Sequence, residues 1–132
     1  MANTKVAIIA ANGELFDAYK VFNIATAAAA SDAEVGIFFT FEGLNLIHKE
    51  AHKNLPLPEG KEHFAEGFKK AKVPSIEELV GIAQEMGVTL IACQMTMDVM
   101  NLDKDAFVDG IEVGGAATFI EFAKDANISL SF

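Results

Sequence analysis

Apolar residues fall along this chain in two alternating patterns. Unbroken runs of strand length occur at Val6–Ala11, Val35–Phe39 and Val88–Ala92. Nearly every position in them is apolar, as in strands covered on both faces of a sheet. Two shorter runs follow at Ile111–Val113 and Ile128–Leu130. Between the runs, apolar positions repeat with helical period. Leu15, Tyr19 and Phe22 share one face; Ile76, Leu79, Val80 and Ala83 share another; Ala116, Phe119, Ile120 and Ala123 form a third. The second of these helices is punctuated at both ends. Pro74 precedes a Ser75-x-x-Glu78 capping box, and Gly87 stands where a left-handed C-terminal residue is needed. Strand, helix and strand at this spacing build right-handed βαβ units. The prediction is a three-layer α/β/α sandwich around a five-stranded parallel sheet.

One stretch breaks the rhythm. His52–Glu62 carries Pro56, Pro58 and Gly60 among charged residues and reads as a surface loop, either a lid or a tolerated insertion. With 132 residues the chain fits one domain, 1–132.

Composition narrows the function classes. An apolar fraction of 52% with eleven Phe excludes disorder. No apolar run approaches the roughly 18 residues that span a bilayer, and no signal peptide is legible, so a cytoplasmic protein without membrane contact is expected. The net charge is −9, from 19 acidic and 10 basic residues, which argues against nucleic-acid partners. The abundant Phe, and a Phe38-Phe39-Thr40-Phe41 run that continues past its strand, predict a homo-oligomer.

The single cysteine changes the picture most. Parallel α/β sheets bind ligands outside the carboxyl ends of their strands, which here are the loops starting at Ala11, Phe39, Ala92 and Val113. Cys93 directly follows the third run, and Met95, Val99 and Leu102 place a helix beginning near Thr96. A thiol just before a helix is favoured as thiolate by the exposed N–H groups there. A packing role is equally open, because free cysteines are among the most buried residues. Met95, Met97 and Met100 crowd the same turn and either line a soft pocket or fill the core. Asp98 is placed either to accept a proton near Cys93 or to repel its thiolate, although the first turn of a helix favours a carboxylate on its own account. Asn12-Gly13 and Gly114-Gly115 end two other strands and supply pocket walls; neither forms a phosphate-binding fingerprint. His48 and His52, four apart, read as solvated surface histidines with no third metal ligand at hand.

Three stretches together resemble a known family: Gly36 to Leu44, Ala92 to Met100, and Asp109 to Gly115. They are similar to the DsrE/DsrF-like sulfur-relay family, in its single-cysteine branch often labelled peroxiredoxin-like. The resemblance implies homo-oligomers and persulfide chemistry on Cys93, with TusA-type sulfur carriers or rhodaneses as partners. No cofactor is implied, because the cysteine persulfide is itself the covalent intermediate. Thr40, Gln94 and Asn12 are the expected neighbours of the thiol, with Gly13, Met95, Thr96, Gly114 and Gly115 completing the pocket. Relatives often carry Gly where this chain has Asn101. Two rival functions stay open: an oligomeric small-ligand-binding module in which Cys93 is structural, and a thiol redox sensor.

Overall fold

The computed structural model describes residues 4–132. Its strands are β1 (Lys5–Ala10), β2 (Glu34–Phe39), β3 (Thr89–Cys93), β4 (Glu112–Gly114) and β5 (Ile128–Ser131). They form one sheet in the order β4-β3-β2-β1-β5, and every neighbouring pair is parallel. The helices are α1 (Leu15–Ala30), α2 (Phe64–Ala71), α3 (Ile76–Glu85), α4 (Gln94–Met100) and α5 (Ala116–Ala123). The expected α/β sandwich is therefore the observed one. Because all strands run the same way, the loops that follow them gather at a single edge.

Alternate strand residues build two unequal cores. Val6, Ile8 and Ala10, Val35, Ile37 and Phe39, and Leu90 with Ala92 pack against α1 and α3. The helices answer with Ala18, Val21, Phe22 and Ala25 from α1, and Ile76, Leu79, Val80 and Ala83 from α3. The opposite face holds a smaller cluster in which Ala7, Phe38, Ile91 and Cys93 meet Phe119 of α5. The Phe38 and Phe119 rings stack 5.4 Å apart. Gly36 lets α5 sit down here, since a Cβ at that position would come within 2.7 Å of the Phe122 ring.

The Ser75 cap of α3 forms as expected: the Glu78 N–H donates to Ser75 Oγ at 3.1 Å, and the Ser75 N–H donates to the Glu78 carboxylate at 3.3 Å. Two features differ from the sequence expectation. Residues Phe64–Ala71, unassigned from the sequence, form α2, which has no buried residue. It is held by aromatic edges instead: Phe64 meets Phe16 at 5.2 Å and Phe68 stacks on Tyr19 at 4.8 Å. The histidines are the second correction. His52 is 5% exposed rather than solvated, and its Nδ1 donates to the His48 carbonyl at 2.7 Å. His48 Nδ1 in turn accepts from the N–H groups of Glu50 and Ala51. A tight 3-10 turn at Ala51–Lys53 folds the pair into the backbone, so no exposed helix face carries them. Among the described residues no group of three His, Cys, Asp or Glu is placed to hold a metal ion. The Pro-rich loop that follows is tethered where Leu15 N–H donates to the Pro56 carbonyl at 2.8 Å. That contact puts the loop against α1, on the side of the sheet away from the face Cys93 joins.

Candidate functional site

Cys93 is both the last residue of β3 and the N-cap of α4, with φ −69° and ψ 115°. The helix begins at Gln94, two residues sooner than its apolar spacing suggests. In register, Cys93 pairs with Gly114, and Ala92 pairs with Phe39 on the other side. The Thr40 N–H donates to the Ala10 carbonyl at 3.0 Å, so the ends of β1, β2, β3 and β4 are laced together around the thiol.

Two threonines make the local polar structure. Thr96 is 1% exposed, and its Oγ1 lies 3.3 Å from Thr40 Oγ1. The same Oγ1 accepts the Phe41 N–H at 3.1 Å. Both hydroxyls act on the sulfur. Burial pushes the Cys93 pKa up, but the Thr96 hydroxyl and N–H, the Thr40 hydroxyl and the Met95 N–H outweigh it, and the thiol lies below its ordinary value. The sulfur makes no cap hydrogen bond of its own, so these groups form a loose ring of donors rather than one fixed bond. The residue is 4% exposed, so the thiol is buried.

The structure brings some of the expected pocket together and leaves some apart. Cys93, Thr40, Thr96 and the Met95 backbone converge on one point. Gly114 joins them through the strand register, and the Gly115 N–H donates to Thr118 Oγ1 at 3.2 Å, opening α5. Gln94 turns away, donating to Asp98 Oδ1 at 2.9 Å; that contact uses Asp98 along the helix surface. Asn12 is exposed, and Gly13 is buried against the Glu42 carbonyl, so this turn supports the Thr40 loop from behind. Gly43 completes that support: a Cβ there would overlap the Ala10 carbonyl, so only glycine lets the two loops interlock. Of the three methionines only Met97 is buried; Met95 and Met100 are exposed. Asn101 ends α4 in the left-handed region at φ 56°, a conformation that Asn tolerates best after Gly, so the turn is preserved.

Phe41 is the residue that sequence reasoning missed. Its φ of 52° is left-handed, an outlier for a bulky side chain, and its ring is 55% exposed. The Phe-Phe-Thr-Phe run pointed at it, but for assembly rather than for the site.

A lone thiol among backbone and hydroxyl donors, at the carboxyl edge of a parallel sheet, defines the class as single-cysteine α/β proteins. The chain belongs to the DsrE/DsrF/DrsH-like family, whose model matches residues 2–67 and 59–131. It is 38% identical to the sulfur carrier protein DsrE2 of Allochromatium vinosum, over 98% of this chain and 99% of that one. It is 30% identical to the uncharacterized protein YrkE of Bacillus subtilis, over 96% and 95% of the two chains. The DsrE2 alignment runs over 157 positions against 132 residues here, so that relative holds residues this chain lacks. The fold is shared with MTH1491 of Methanobacterium thermoautotrophicum (TM-score 0.68, 13% identity, 98% and 100% covered) and with the ychN protein of E. coli (TM-score 0.65, 19% identity, 98% and 99% covered). Sulfur relay is thus represented in the family by a relative aligned over almost the whole chain. Among the described residues no helix is long and apolar enough to cross a membrane.

Proposed function

We propose that this protein is a cytoplasmic sulfur-relay protein that carries sulfane sulfur as a persulfide on Cys93 and exchanges it with partner thiols. The observation that carries the reading is the ring of donors from Thr96, Thr40 and Met95 around the chain's only thiol, which favours its thiolate. In the loading step the Cys93 thiolate attacks the outer sulfur of a donor R–S–SH. A new S–S bond forms to Cys93, the donor S–S bond breaks, and the donor leaves as R–S⁻. The proton stays on the transferred sulfur. In the discharge step an acceptor thiolate attacks that outer sulfur and Cys93 departs as thiolate. No net oxidation occurs, and the second thiol always comes from the partner, so one cysteine suffices. The same donors that stabilise the thiolate stabilise Cys93 as a leaving group. A rhodanese is the proposed class of donor and a TusA-type carrier the class of acceptor, with the chain acting as a homo-oligomer.

A second reading rests on the 4% exposure of Cys93 and its contact with Phe119: the thiol only packs. Intact mass separates the two. After incubation with a persulfidated rhodanese, the native protein should gain one sulfur, about 32 Da, and Cys93→Ser should gain none. An unmodified native protein would leave the packing reading in place.

A further inference from the structure

Four of the large apolar side chains that this molecule leaves exposed lie on the two segments that meet at the thiol: Phe41 (55%) just after β2, and Met95 (56%), Val99 (77%) and Met100 (39%) on α4. They are structurally connected. Thr96, whose hydroxyl faces Cys93, also accepts the Phe41 N–H and so holds that residue in its left-handed conformation. Met95 turns its N–H toward the sulfur and its side chain outward. Val99 is one helical turn beyond Met95 on the same face of α4. A strained phenylalanine fixed in solvent by a buried hydroxyl costs stability and gains nothing within this chain.

The charges around these side chains have one sign. Glu42 follows Phe41, Asp98 precedes Val99, and both are exposed. No lysine lies between residues 21 and 48 or between 73 and 103, and six of the ten are gathered within 49–72. The two segments that carry these side chains therefore bring carboxylates and no lysine of their own.

We propose that Phe41, Met95, Val99 and Met100 form a docking collar for the protein that exchanges sulfur with Cys93, and that this partner presents its own cysteine on an apolar surface edged by lysine or arginine. The proposal deepens the sulfur-relay reading and rests on it. A thiol this closely covered exchanges sulfur only with a partner pressed against the rim, and an apolar seal keeps water away from the attacked S–S bond. Carboxylates at the edge attract a cationic partner and repel small anionic sulfur species, which separates relay from free polysulfide. A second collar is a poor occupant, because a symmetric contact would press Glu42 and Asp98 against their own copies.

The test uses the full chain, loaded with sulfur by a persulfidated rhodanese and freed of that donor. Discharge is followed by intact mass with three thiol peptides: Lys-Leu-Cys-Leu-Lys, Glu-Leu-Cys-Leu-Glu and Ser-Gly-Cys-Gly-Ser. Rates are taken as first-order loss of the added sulfur from loaded molecules, so they do not depend on how much loads. The cationic apolar peptide should react about tenfold faster than the acidic one at low salt, and most of that margin should vanish at high salt. Val99→Ser should narrow its lead over the Ser-Gly peptide, and Asp98→Lys should turn the charge preference toward the acidic peptide. Both positions are exposed, so neither change threatens the fold. Equal rates for all three peptides, or variants that keep the native preference, overturn the collar. A fall in assembled mass for Val99→Ser in light scattering also overturns it, by assigning the surface to a second copy. Failure of the native protein to load at all strikes the relay reading instead.

Discussion

The face of the sheet beneath α1 and α3 and the face beneath α5 are built from alternate residues of the same strands, yet they are covered very differently. The first meets a sixteen-residue and a ten-residue helix and buries a contiguous core that includes Phe22, Phe39 and Leu44. The second meets one eight-residue helix in which only Phe119 is buried, while Ile120 stands 60% exposed. Cys93 belongs to the second face. The well-covered face supplies most of the burial that holds the fold. The thinly covered face carries Cys93 and leaves apolar area exposed. Stability and the proposed chemistry are thus divided between two sides of one sheet.

The largest expected effect breaks the stable side. Phe22→Ala should cost about 4 kcal/mol, whereas Phe119→Ala should cost roughly half that because its site is smaller and closer to solvent. Urea midpoints measure both, and equal losses would erase the distinction between the faces. Next comes the interlocked loop pair. Gly43→Ala forces a methyl group into the Ala10 carbonyl and should cost about 2 kcal/mol, with the Thr40 turn displaced and Cys93 alkylated more slowly.

Thr96→Val sharpens the chemical side. It leaves the part-buried Phe41 N–H without its acceptor, a loss of about 1 kcal/mol, and removes one of the donors facing the sulfur. Alkylation requires thiolate, so its rate climbs with pH and levels above the thiol pKa. In the native protein the midpoint of that rise should lie below that of an ordinary thiol, about 8.5, and in Thr96→Val it should move to higher pH. The smallest effect on stability belongs to Ile120→Ser, within about 0.5 kcal/mol. Light scattering of the native protein should give a multiple of its 14.1 kDa chain mass, and Ile120→Ser should reduce it if the α5 face is the assembly surface. A native monomer at micromolar concentration would refute the oligomer.

What the sequence disclosed follows from which signals are local. Val6–Ala11 and Val35–Phe39 announce doubly covered strands, and the Ser75 box announces the start of α3, because both are set by near neighbours. The same continuous apolar character hides which face each residue takes, so the membership of Cys93 in the α5 cluster was not legible. Helix α2 escaped notice because its eight residues bury nothing fully and are held by Phe16 and Tyr19 from a distant segment. His52 was misjudged for a related reason: a charged neighbourhood of Lys49, Glu50 and Lys53 conceals a turn that folds the imidazole onto the His48 carbonyl. At the site, Cys93 is legible from its strand end, with Thr40 and Thr96 as expected neighbours, because a parallel sheet guarantees that strand ends meet. Phe41 is not, since its left-handed backbone has no signature in a run of phenylalanines.

The central claim is that Cys93 both receives and releases sulfur, and a pulse-chase of isotopic sulfur tests it most directly. The protein is loaded from a rhodanese carrying heavy sulfur, separated from the donor, and mixed with a reduced TusA-type carrier while both intact masses are followed. The account predicts that the heavy atom leaves Cys93 and appears on the carrier, and that Cys93→Ser transfers none. Heavy sulfur that stays on the protein, or that reaches the carrier equally well through Cys93→Ser, would contradict it.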